Sequence, residues 1–483
     1  MKLCSLFLAV VLMLSLMTGC RENSTAKKTN TSSKTELILP VNDKISGTVN
    51  YAVRSKHEDE ADAVLKSFKK MYPNITVNVE VIDEELNNVL TTRAAAGNLP
   101  DVVYGWDNLS FYALQGWLYP LDDFMAKDEE IGYLHSGLID GYKYNGKTYA
   151  LPAWLQFSTF VVNLDLCEQL NLDTPSYDWT IDEFTELAKK ATTDEYSGIN
   201  HVESLDQYIM TNCLKKGAQW GYDSESMKFN LTDGSFEKGV KLSKDLLAVP
   251  GLVADSLRNQ KIIDNGGTDD YARKFGGGAD GLSDGKILIA SQSTWDNIWL
   301  NDLTFEWDFY PVPQDPSIGY REIVHSDYGI MLSTAKDPQA AYELLKFLTY
   351  GKDGLMVRME YRKDYFAGAS TEKVPEPYFI VPANSHPDIA KALDSYDYVP
   401  NGIKHMYKNL DKSVKGDYSK VLPDFWTAVN QNIYEAKQRI DNGDSAAAVA
   451  KEAENKINTA FKKANDKFIS DMKKIQTDFE AKK

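Results

Sequence analysis

The sequence predicts an α/β fold, because segments that alternate like strands are separated by segments with the periodicity of helices. Between Gly47 and Tyr104 the order is strand, helix, strand, helix, strand. Helical connections between strands of one sheet require parallel pairing and right-handed crossovers. The chain has 483 residues, enough for about three folding units of roughly 150 residues each. It is therefore long enough to bury a large core.

In this first part, strands are expected at residues 48–53, 75–81 and 101–104, and helices at residues 58–71 and 84–96. The helices carry apolar side chains on one face, and Gly97 ends the second one. Ile75, Val77, Val79 and Val81 alternate with polar residues, which predicts a half-buried strand.

The rest of the chain mixes both kinds of element and shows no internal repeat. Extended segments are expected at residues 147–152, 160–163, 287–290, 307–311 and 328–332. A capping box from Thr180 to Glu183 opens one helix, and Asp337 with Pro338 is expected to cap another. The tail is predicted to form helices over residues 421–440 and 445–474.

The charge balance excludes some partners. Lys and Arg number 53 and Asp and Glu number 70, which gives a formal net charge of -17. Nucleic-acid binding depends on basic side chains that neutralise phosphates, and no basic block occurs. Nucleic acid and anionic lipid are therefore not expected as partners.

The first residues indicate export. Lys2 precedes an apolar run that ends in Gly19 and Cys20, and this ending resembles a bacterial lipobox. Residues 1–19 are thus predicted to be a lipoprotein signal peptide, with Cys20 carrying the lipid (palmitate) that anchors the chain to the membrane. Residues 20–44 then form a flexible tether. An uncleaved membrane anchor is the alternative, and no later stretch is apolar enough to span a bilayer.

Two cysteines remain, Cys167 and Cys213. Both lie in apolar, helix-like contexts, which favours two buried thiols, and a disulfide between them is the alternative.

Several short motifs recur along nearly the whole mature chain. They comprise residues 72–75, 95–103, 116–122, 146–152, Asn163, Trp179 to Glu186, 285–286, Trp295 and residues 340–347. In this order they resemble the family 1 extracellular solute-binding proteins of ABC importers. Their order and spacing are specific as a set. The order is also similar to that of maltose-binding protein, a more distant relative.

The resemblance implies a two-lobe, periplasmic-binding-protein-like fold of type II, with interleaved lobes joined by a hinge. Lobe one is expected at residues 45–152 and 307–369, and lobe two at residues 153–306 and 370–483. The implied protein is a monomer outside the cytoplasm that binds a carbohydrate, an oligosaccharide above all, and delivers it to the permease subunits of an ABC importer. No cofactor and no metal are implied.

A sugar site needs aromatic rings for the C–H face of the sugar and polar groups for its hydroxyls. Ligands of open α/β sheets lie beyond the carboxyl ends of strands. That rule selects Arg54, Lys56 and His57 after the first strand, and Trp106 and Asp107 after the third.

The family's pattern adds further candidates, namely Trp154, Gln156, Trp295, Asp327 and Tyr328. Each has a plainer alternative. The tryptophans could pack in the core, Asp107 could cap the next helix, and the charged residues after the first strand could be solvated. Gln156 stands where maltose-binding protein has an acid, so that hydroxyl contact is altered or lost.

Other functions have less support. No zinc-binding His spacing, no Gly-x-Ser-x-Gly elbow and no phosphate-binding loop occurs, so no catalytic residue is expected. A glycoside-acting enzyme would need two opposed carboxylates, which an acidic chain could supply. A peptide, amino acid or other non-sugar ligand on the same fold is the second alternative, but no arginine fork for a ligand carboxylate stands out.

Overall fold

The computed structural model describes residues 37–482, without residues 84, 106–107, 215–216, 218, 297–298 and 368–378. Within these ranges the side chains of residues 56, 59, 136, 296, 299 and 301 are not described. The predicted signal peptide, Cys20 and most of the tether lie outside the described residues.

The strands fall into one large mixed sheet and two small hairpins. In chain order they are β1 (Gly47–Arg54), β2 (Ile75–Ile82), β3 (Val102–Gly105), β4 (Lys143–Tyr144), β5 (Lys147–Thr148), β6 (Ala150–Asn163), β7 (Ser197–Ile199), β8 (Tyr222–Asp223), β9 (Lys228–Phe229), β10 (Ile287–Ser293), β11 (Trp307–Pro311), β12 (Glu322–Met331), β13 (Val381–Pro382) and β14 (Ser413–Lys415).

The α-helices lie between and after these strands along the chain. They are α1 (Glu58–Met71), α2 (Leu86–Ala95), α3 (Leu109–Leu114), α4 (Asp122–Met125), α5 (Ser136–Asp140), α6 (Leu164–Gln169), α7 (Ile181–Ala191), α8 (Leu205–Cys213), α9 (Ser235–Leu247), α10 (Gln260–Asp264), α11 (Asp270–Phe275), α12 (Pro338–Leu348), α13 (Lys352–Phe366), α14 (Pro387–Ser395), α15 (Asn401–Lys408), α16 (Tyr418–Val421), α17 (Phe425–Val429), α18 (Glu435–Asp441) and α19 (Ala446–Lys482). A π-helical turn, Asn430–Tyr434, joins α17 to α18.

The first part of the sheet confirms the predicted parallel pairing. β1 pairs in parallel with both β2 and β3, and the strand order is β2-β1-β3-β12-β6. β2 is a strand, as predicted, and it is buried at Ile75 and Ile82, whereas Val79 and Val81 are 41% and 37% exposed. β2 is an outer strand of this order, so alternation there does not mark a face that the core covers.

β6 is one continuous strand of 14 residues, all buried, where two separate extended segments were predicted. Such a run has apolar side chains on both faces and fits a strand covered on both sides. β12 pairs with the first part of β6, up to Phe157, whereas β10 and β11 pair with its last part, from Ser158 to Asn163. β6 therefore connects two portions of the sheet.

The helix starts test two predicted caps. The capping box at the start of α7 is confirmed, since Thr180 and Glu183 bond to each other's backbone N–H. Asp337 stands at the N-cap of α12, as predicted, but its side chain makes no bond to the start of that helix. The Asp337 carboxylate instead accepts a hydrogen bond from the Thr48 N–H at 2.8 Å, while Pro338 occupies the first turn. Asp337 thus joins α12 to β1.

α19 is the longest helix, with 37 residues, which corresponds to about 55 Å at the usual rise. Its first half buries Ile457 and Phe461 in a core cluster with Phe229 and Phe425. Its second half buries Phe468 in another cluster, the one that contains residues of β1 and β3. The helix therefore packs on two different core clusters.

Candidate functional site

The candidate site lies where β6 and β12 run side by side between the two portions of the sheet. Ser326 pairs with Leu155 and Tyr328 pairs with Pro152, so two residues of β6, including Trp154, oppose Asp327 alone. Such a β-bulge redirects side chains. Here it brings the Trp154 indole next to Asp327, and the indole Nε1–H donates to the carboxylate at 3.1 Å.

The carboxylate of Asp327 binds donors from three parts of the chain. Its Oδ2 accepts from the Tyr104 hydroxyl at 2.7 Å and from Trp154, and its Oδ1 accepts from Lys420 Nζ at 3.2 Å. Burial, together with the charge of Asp327, raises the pKa of the Tyr104 phenol well above its ordinary value. Tyr104 therefore stays a hydrogen-bond donor at neutral pH.

A second ion group lies beside the first. Asp417 contacts Lys415 at 2.7 Å and Lys420 at 3.5 Å, and it accepts a hydrogen bond from the Ser326 N–H at 2.9 Å. Burial alone would raise the pKa of Asp417, but the charges of Lys415 and Lys420 hold it below its ordinary value. The carboxylate therefore stays ionised and fixes residues 415–420 to β12.

Aromatic rings cover one side of Asp327. The ring of Trp154 lies 5.1 Å from that of Tyr104 and 6.0 Å from that of His57, centroid to centroid. Two guanidinium groups of α13 lie over the same indole, Arg358 at 5.2 Å and Arg362 at 5.7 Å. Cations favour such positions over an indole.

Glu60, in the first turn of α1, forms an ion pair with Arg362, and both side chains are buried. Burial alone would raise the pKa of Glu60. The charges of Arg362 and Arg358, in that order, lower it below the ordinary value. Glu60 is thus the anion of this pair of arginines.

On the other side of the bulge, Trp295 follows β10 and keeps 39% of its surface exposed. Its ring stands edge-on to His325 of β12 at 4.8 Å, and the His325 Nε2 lies 2.9 Å from the Ser158 hydroxyl. Burial lowers the pKa of His325 to about 4, so the imidazole is neutral at pH 7. An exposed indole therefore lies beside the uncharged polar side chains of His325 and Ser158, which we call the polar floor.

Gln156 completes this floor. It is 5% exposed, and its Oε1 accepts from the Thr294 hydroxyl at 2.6 Å. The oxygen of Thr294 in turn accepts from the Phe157 N–H at 2.9 Å. These bonds hold the turn after β10, and with it Trp295, against β6.

The structure brings five of the predicted site residues together, namely His57, Trp154, Gln156, Asp327 and, through His325, Trp295. Arg54 ends β1 beside them and is partly buried. Trp106, Asp107 and the side chain of Lys56 lie outside the described residues. Tyr328 is not in the group, because its side chain is fully buried and packs on Tyr142 and against Gly105.

Several residues of the group were missed by the sequence reasoning. They are Glu60, Tyr104, Ser158, His325, Arg358, Arg362, Lys415, Asp417 and Lys420. The two arginines stand four residues apart, a spacing that places side chains on one helix face and could have served as a signal. No comparable signal exists for Asp417 or Lys420, which reach the site from a distant part of the sequence.

Three further features bear on the site. Within the described ranges, no three His, Cys, Asp or Glu side chains come close enough to hold a metal ion. In the same ranges, no helix combines the length and the apolar character needed to cross a membrane. Cys167 and Cys213 are both free thiols, and Cys213 is partly exposed rather than buried as predicted.

The family of the chain follows from a match over residues 54–349 to the model of the bacterial extracellular solute-binding proteins. This match covers more than half of the 483 residues, so the chain belongs to that family. It is therefore an extracytoplasmic solute-binding protein and not an enzyme.

Solved structures agree on the fold. The ABC substrate-binding protein from Listeria monocytogenes in complex with cycloalternan has a TM-score of 0.60 and 18% identity, over 86% of this chain and 99% of that one. The cyclic α-maltosyl-1,6-maltose binding protein from Arthrobacter globiformis has a TM-score of 0.62 and 15% identity, over 86% and 100%. A sugar transporter from Rhizobium etli, in an open conformation, has a TM-score of 0.61 and 17% identity, over 85% of this chain and 99% of that one.

The predicted fold class is confirmed. The chain has the α/β, two-lobe type II fold of these binding proteins, with interleaved lobes joined by a hinge. β6 belongs to both portions of the sheet, and the candidate site lies beside it, where β12 pairs with its first part.

Proposed function

We propose that the chain binds a carbohydrate, an oligosaccharide above all, in the cleft between its lobes and delivers it to the permease of an ABC importer. The observation that carries the proposal is the indole of Trp295, which is 39% exposed and stands edge-on to His325 of β12 at 4.8 Å. A flat exposed ring over a polar floor suits a sugar, which has a C–H face and a rim of hydroxyls.

The names of the structural relatives support a carbohydrate, since they are described with cycloalternan, with cyclic α-maltosyl-1,6-maltose and as a sugar transporter. For lobe one we retain residues 45–152 and 307–369, and for lobe two residues 153–306 and 370–483. A ligand favours closure of such lobes only if it contacts both of them. Trp295 offers an exposed ring to such a ligand, whereas Trp154 is 3% exposed and packs in the core.

The test is a thermal-shift screen of the ligand-free protein over a panel of neutral and acidic oligosaccharides. A ligand at 100 times its dissociation constant stabilises the folded state by about 2.7 kcal/mol. Trp295→Ala should lower the affinity for the best sugar by about 10- to 100-fold, since stacking contributes to the contact. Trp426→Ala is the matched control, because Trp426 is equally exposed, at 42%, on α17.

Each result has a defined meaning. A shift that survives in Trp295→Ala would show that the stacking platform lies elsewhere. A thermal shift produced by amino acids or peptides, and by no sugar, would overturn the proposal that the ligand is a carbohydrate. Release of shorter products from a bound oligosaccharide would favour a glycoside-acting enzyme.

We also propose that the chain is a monomer anchored to the cell membrane by a lipid on Cys20, after removal of residues 1–19. The basis is the apolar run that ends in Gly19 and Cys20. Cys20→Ser should release the protein from the membrane fraction and abolish incorporation of labelled palmitate. A molar mass of 54.3 kDa or below, measured by light scattering, would support the monomer.

A further inference from the structure

The first half of the long helix α19 is bonded to the hairpin of β8 and β9. The Glu454 carboxylate accepts hydrogen bonds from the N–H groups of Leu231 and Thr232, at 2.8 and 3.0 Å. Asn458 accepts from the Phe229 N–H at 2.8 Å and donates to the Phe229 carbonyl at 2.9 Å. Phe229 is the last residue of β9. This end of α19 is therefore held at the end of that hairpin.

The second half of α19 is bonded to a different hairpin, formed by β4 and β5. Asn145, between these two strands, donates to the Ile469 carbonyl at 3.1 Å. Gln476 Nε2 donates to the Tyr144 carbonyl at 2.8 Å and to the Tyr149 hydroxyl at 3.1 Å. The two ends of one helix thus contact two hairpins that are distant in the chain.

Aromatic rings pack at this second end. Phe468 stands edge-on to Tyr144 with 4.9 Å between ring centroids, and Phe479 stands edge-on to Tyr119 at 5.1 Å. Edge-to-face pairs contribute to stability beyond the area that they bury. Separation of the second half from its hairpin therefore costs both hydrogen bonds and ring contacts.

With the lobe bounds proposed above, the two hairpins belong to different lobes. β8 and β9, residues 222–229, fall in lobe two, and β4 and β5, residues 143–148, fall in lobe one. A cavity of about 700 Å³ is lined by both parts of the chain, among them Gly141 and Tyr222. The space leaves room for the two parts to approach or separate. α19 then spans a place where the lobes can move.

The helix is suited to hold its two ends at a fixed separation. Residues 446–482 contain neither Gly nor Pro, and sharp kinks in helices mostly occur at such residues. Glu454 and Gln476 are 22 positions apart, since 476 minus 454 is 22, which corresponds to about 33 Å along the axis. A rotation of the lobes that changes the distance between the hairpins must therefore break the contacts at one end.

The second end is the weaker of the two. In the first half, Ile457 and Phe461 are 0% and 1% exposed. In the second half, the residues that contact lobe one include Gln476 and Phe479, which are both partly exposed. Contacts at a partly exposed surface open more easily than those of a buried cluster.

We propose that α19 restrains the opening and closing of the cleft, and that the lobes rotate only when its second half releases lobe one. This inference rests on the lobes of the proposed function and adds a control on their motion. The Val421 carbonyl, which accepts from the Tyr144 hydroxyl at 2.7 Å, links the same hairpin to lobe two at another point. α19 adds a stiff connection to this link, so it favours the arrangement in which both of its ends are bonded.

The test measures the distance between the lobes in the ligand-free protein. Spin labels on unnatural amino acids replace Lys66 of α1 and Lys190 of α7, which are both exposed, so the native cysteines stay unlabelled. Pulsed electron double resonance then gives the distribution of distances. In Gln476→Ala/Phe479→Ala, distances outside the main peak should become about 10- to 100-fold more populated, because two hydrogen bonds and one ring contact are lost. An unchanged distribution, whatever the melting temperature, would show that α19 only packs on lobe one and would overturn the inference.

A variant on the other side of the contact gives a second measurement. Asn145→Gly removes the bond to the Ile469 carbonyl and suits the backbone, because Asn145 has a φ of 48°. It should raise the same population by about 5-fold, as expected for one hydrogen bond. The matched control is Thr477→Ala, since Thr477 is exposed and its hydroxyl donates to the Lys473 carbonyl of the same helix. A change in Thr477→Ala as large as that in the double variant would assign the effect to the helix itself and contradict the restraint.

The outcomes separate the two proposals, because the distance measurement needs no ligand. A broader distribution in a protein that binds amino acids or peptides, and no sugar, supports the restraint and overturns the carbohydrate function. An unchanged distribution in a protein that binds a sugar overturns the restraint and leaves the carbohydrate function intact.

Discussion

The three donors around Asp327 make the change Asp327→Asn a sharp test of the site's electrostatics. The amide has nearly the same shape as the carboxylate, but it carries no charge and replaces one acceptor oxygen with an NH₂ group. Tyr104, Trp154 and Lys420 all donate to the carboxylate. Whichever way the amide is turned, at least one donor then faces another donor.

The cost can be worked from these contacts. A hydrogen bond to a charged group contributes about 1.5–3 kcal/mol, and breaking a buried ion pair costs about 3–5 kcal/mol. Asp327 and Lys420 are 21% and 22% exposed, and Lys420 keeps Asp417 at 3.5 Å. Because this pair is partly exposed, its loss should cost less than the upper value for a buried ion pair. Asp327→Asn should therefore lower the free energy of unfolding by about 2–4 kcal/mol.

The assay is urea denaturation of the ligand-free protein at pH 7. The matched control is Asp245→Asn, because Asp245 pairs with Lys241 while 58% exposed, and such surface pairs contribute about 0–1 kcal/mol. A double-mutant cycle with Lys420→Gln should give a coupling energy of about 1–2 kcal/mol between Asp327 and Lys420.

The reasoning would be refuted by an Asp327→Asn protein within about 0.5 kcal/mol of the unmodified one, since surface substitutions fall in that range. A coupling energy near zero would refute the ion pair alone and leave the hydrogen bonds from Tyr104 and Trp154 as the source of any loss.

Three further changes test the packing and the titration of the molecule. In the unfolded chain His325 takes up a proton near pH 6.5, whereas in the folded protein its pKa is about 4. The free energy of unfolding should therefore fall by about 3 kcal/mol as the pH drops from 6.5 to 4, and His325→Gln should remove this pH-dependent loss. Phe468→Ala should cost about 3–5 kcal/mol in urea, because it leaves a cavity under α19. A Cβ on Gly402 would lie 1.7 Å from the Phe309 carbonyl oxygen, whereas one on Gly132 meets nothing within 4 Å; Gly402→Ala should lower the melting temperature and Gly132→Ala should not.

Most of the local structure could be predicted from the sequence. The helix at Glu58–Met71 and the capping box of α7 follow from periodicity and cap chemistry, which depend on residues close in the chain. The burial of β2 could not be predicted, because whether Val79 meets the core depends on what covers the strand. Asp337 likewise had a distant alternative, the N–H of Thr48.

For the site, the sequence predicted the residues that follow strands or match the family's motifs, among them His57, Trp154, Trp295 and Asp327. It did not predict their partners. Tyr104 and Lys420 lie 223 and 93 residues from Asp327 in the chain, and only the folded arrangement brings them to its carboxylate.

The sequence by itself determined the α/β class, the acidic character and the family, because alternation of elements, composition and motif order are all written along the chain. The tertiary structure decided which charges are paired. Arg358 is an ordinary helical arginine in the sequence, and only the packing of α13 places it over the Trp154 indole, beside the ion pair of Glu60 and Arg362. Electrostatic balance is a sum over neighbours in space, and those neighbours come from distant segments of the chain.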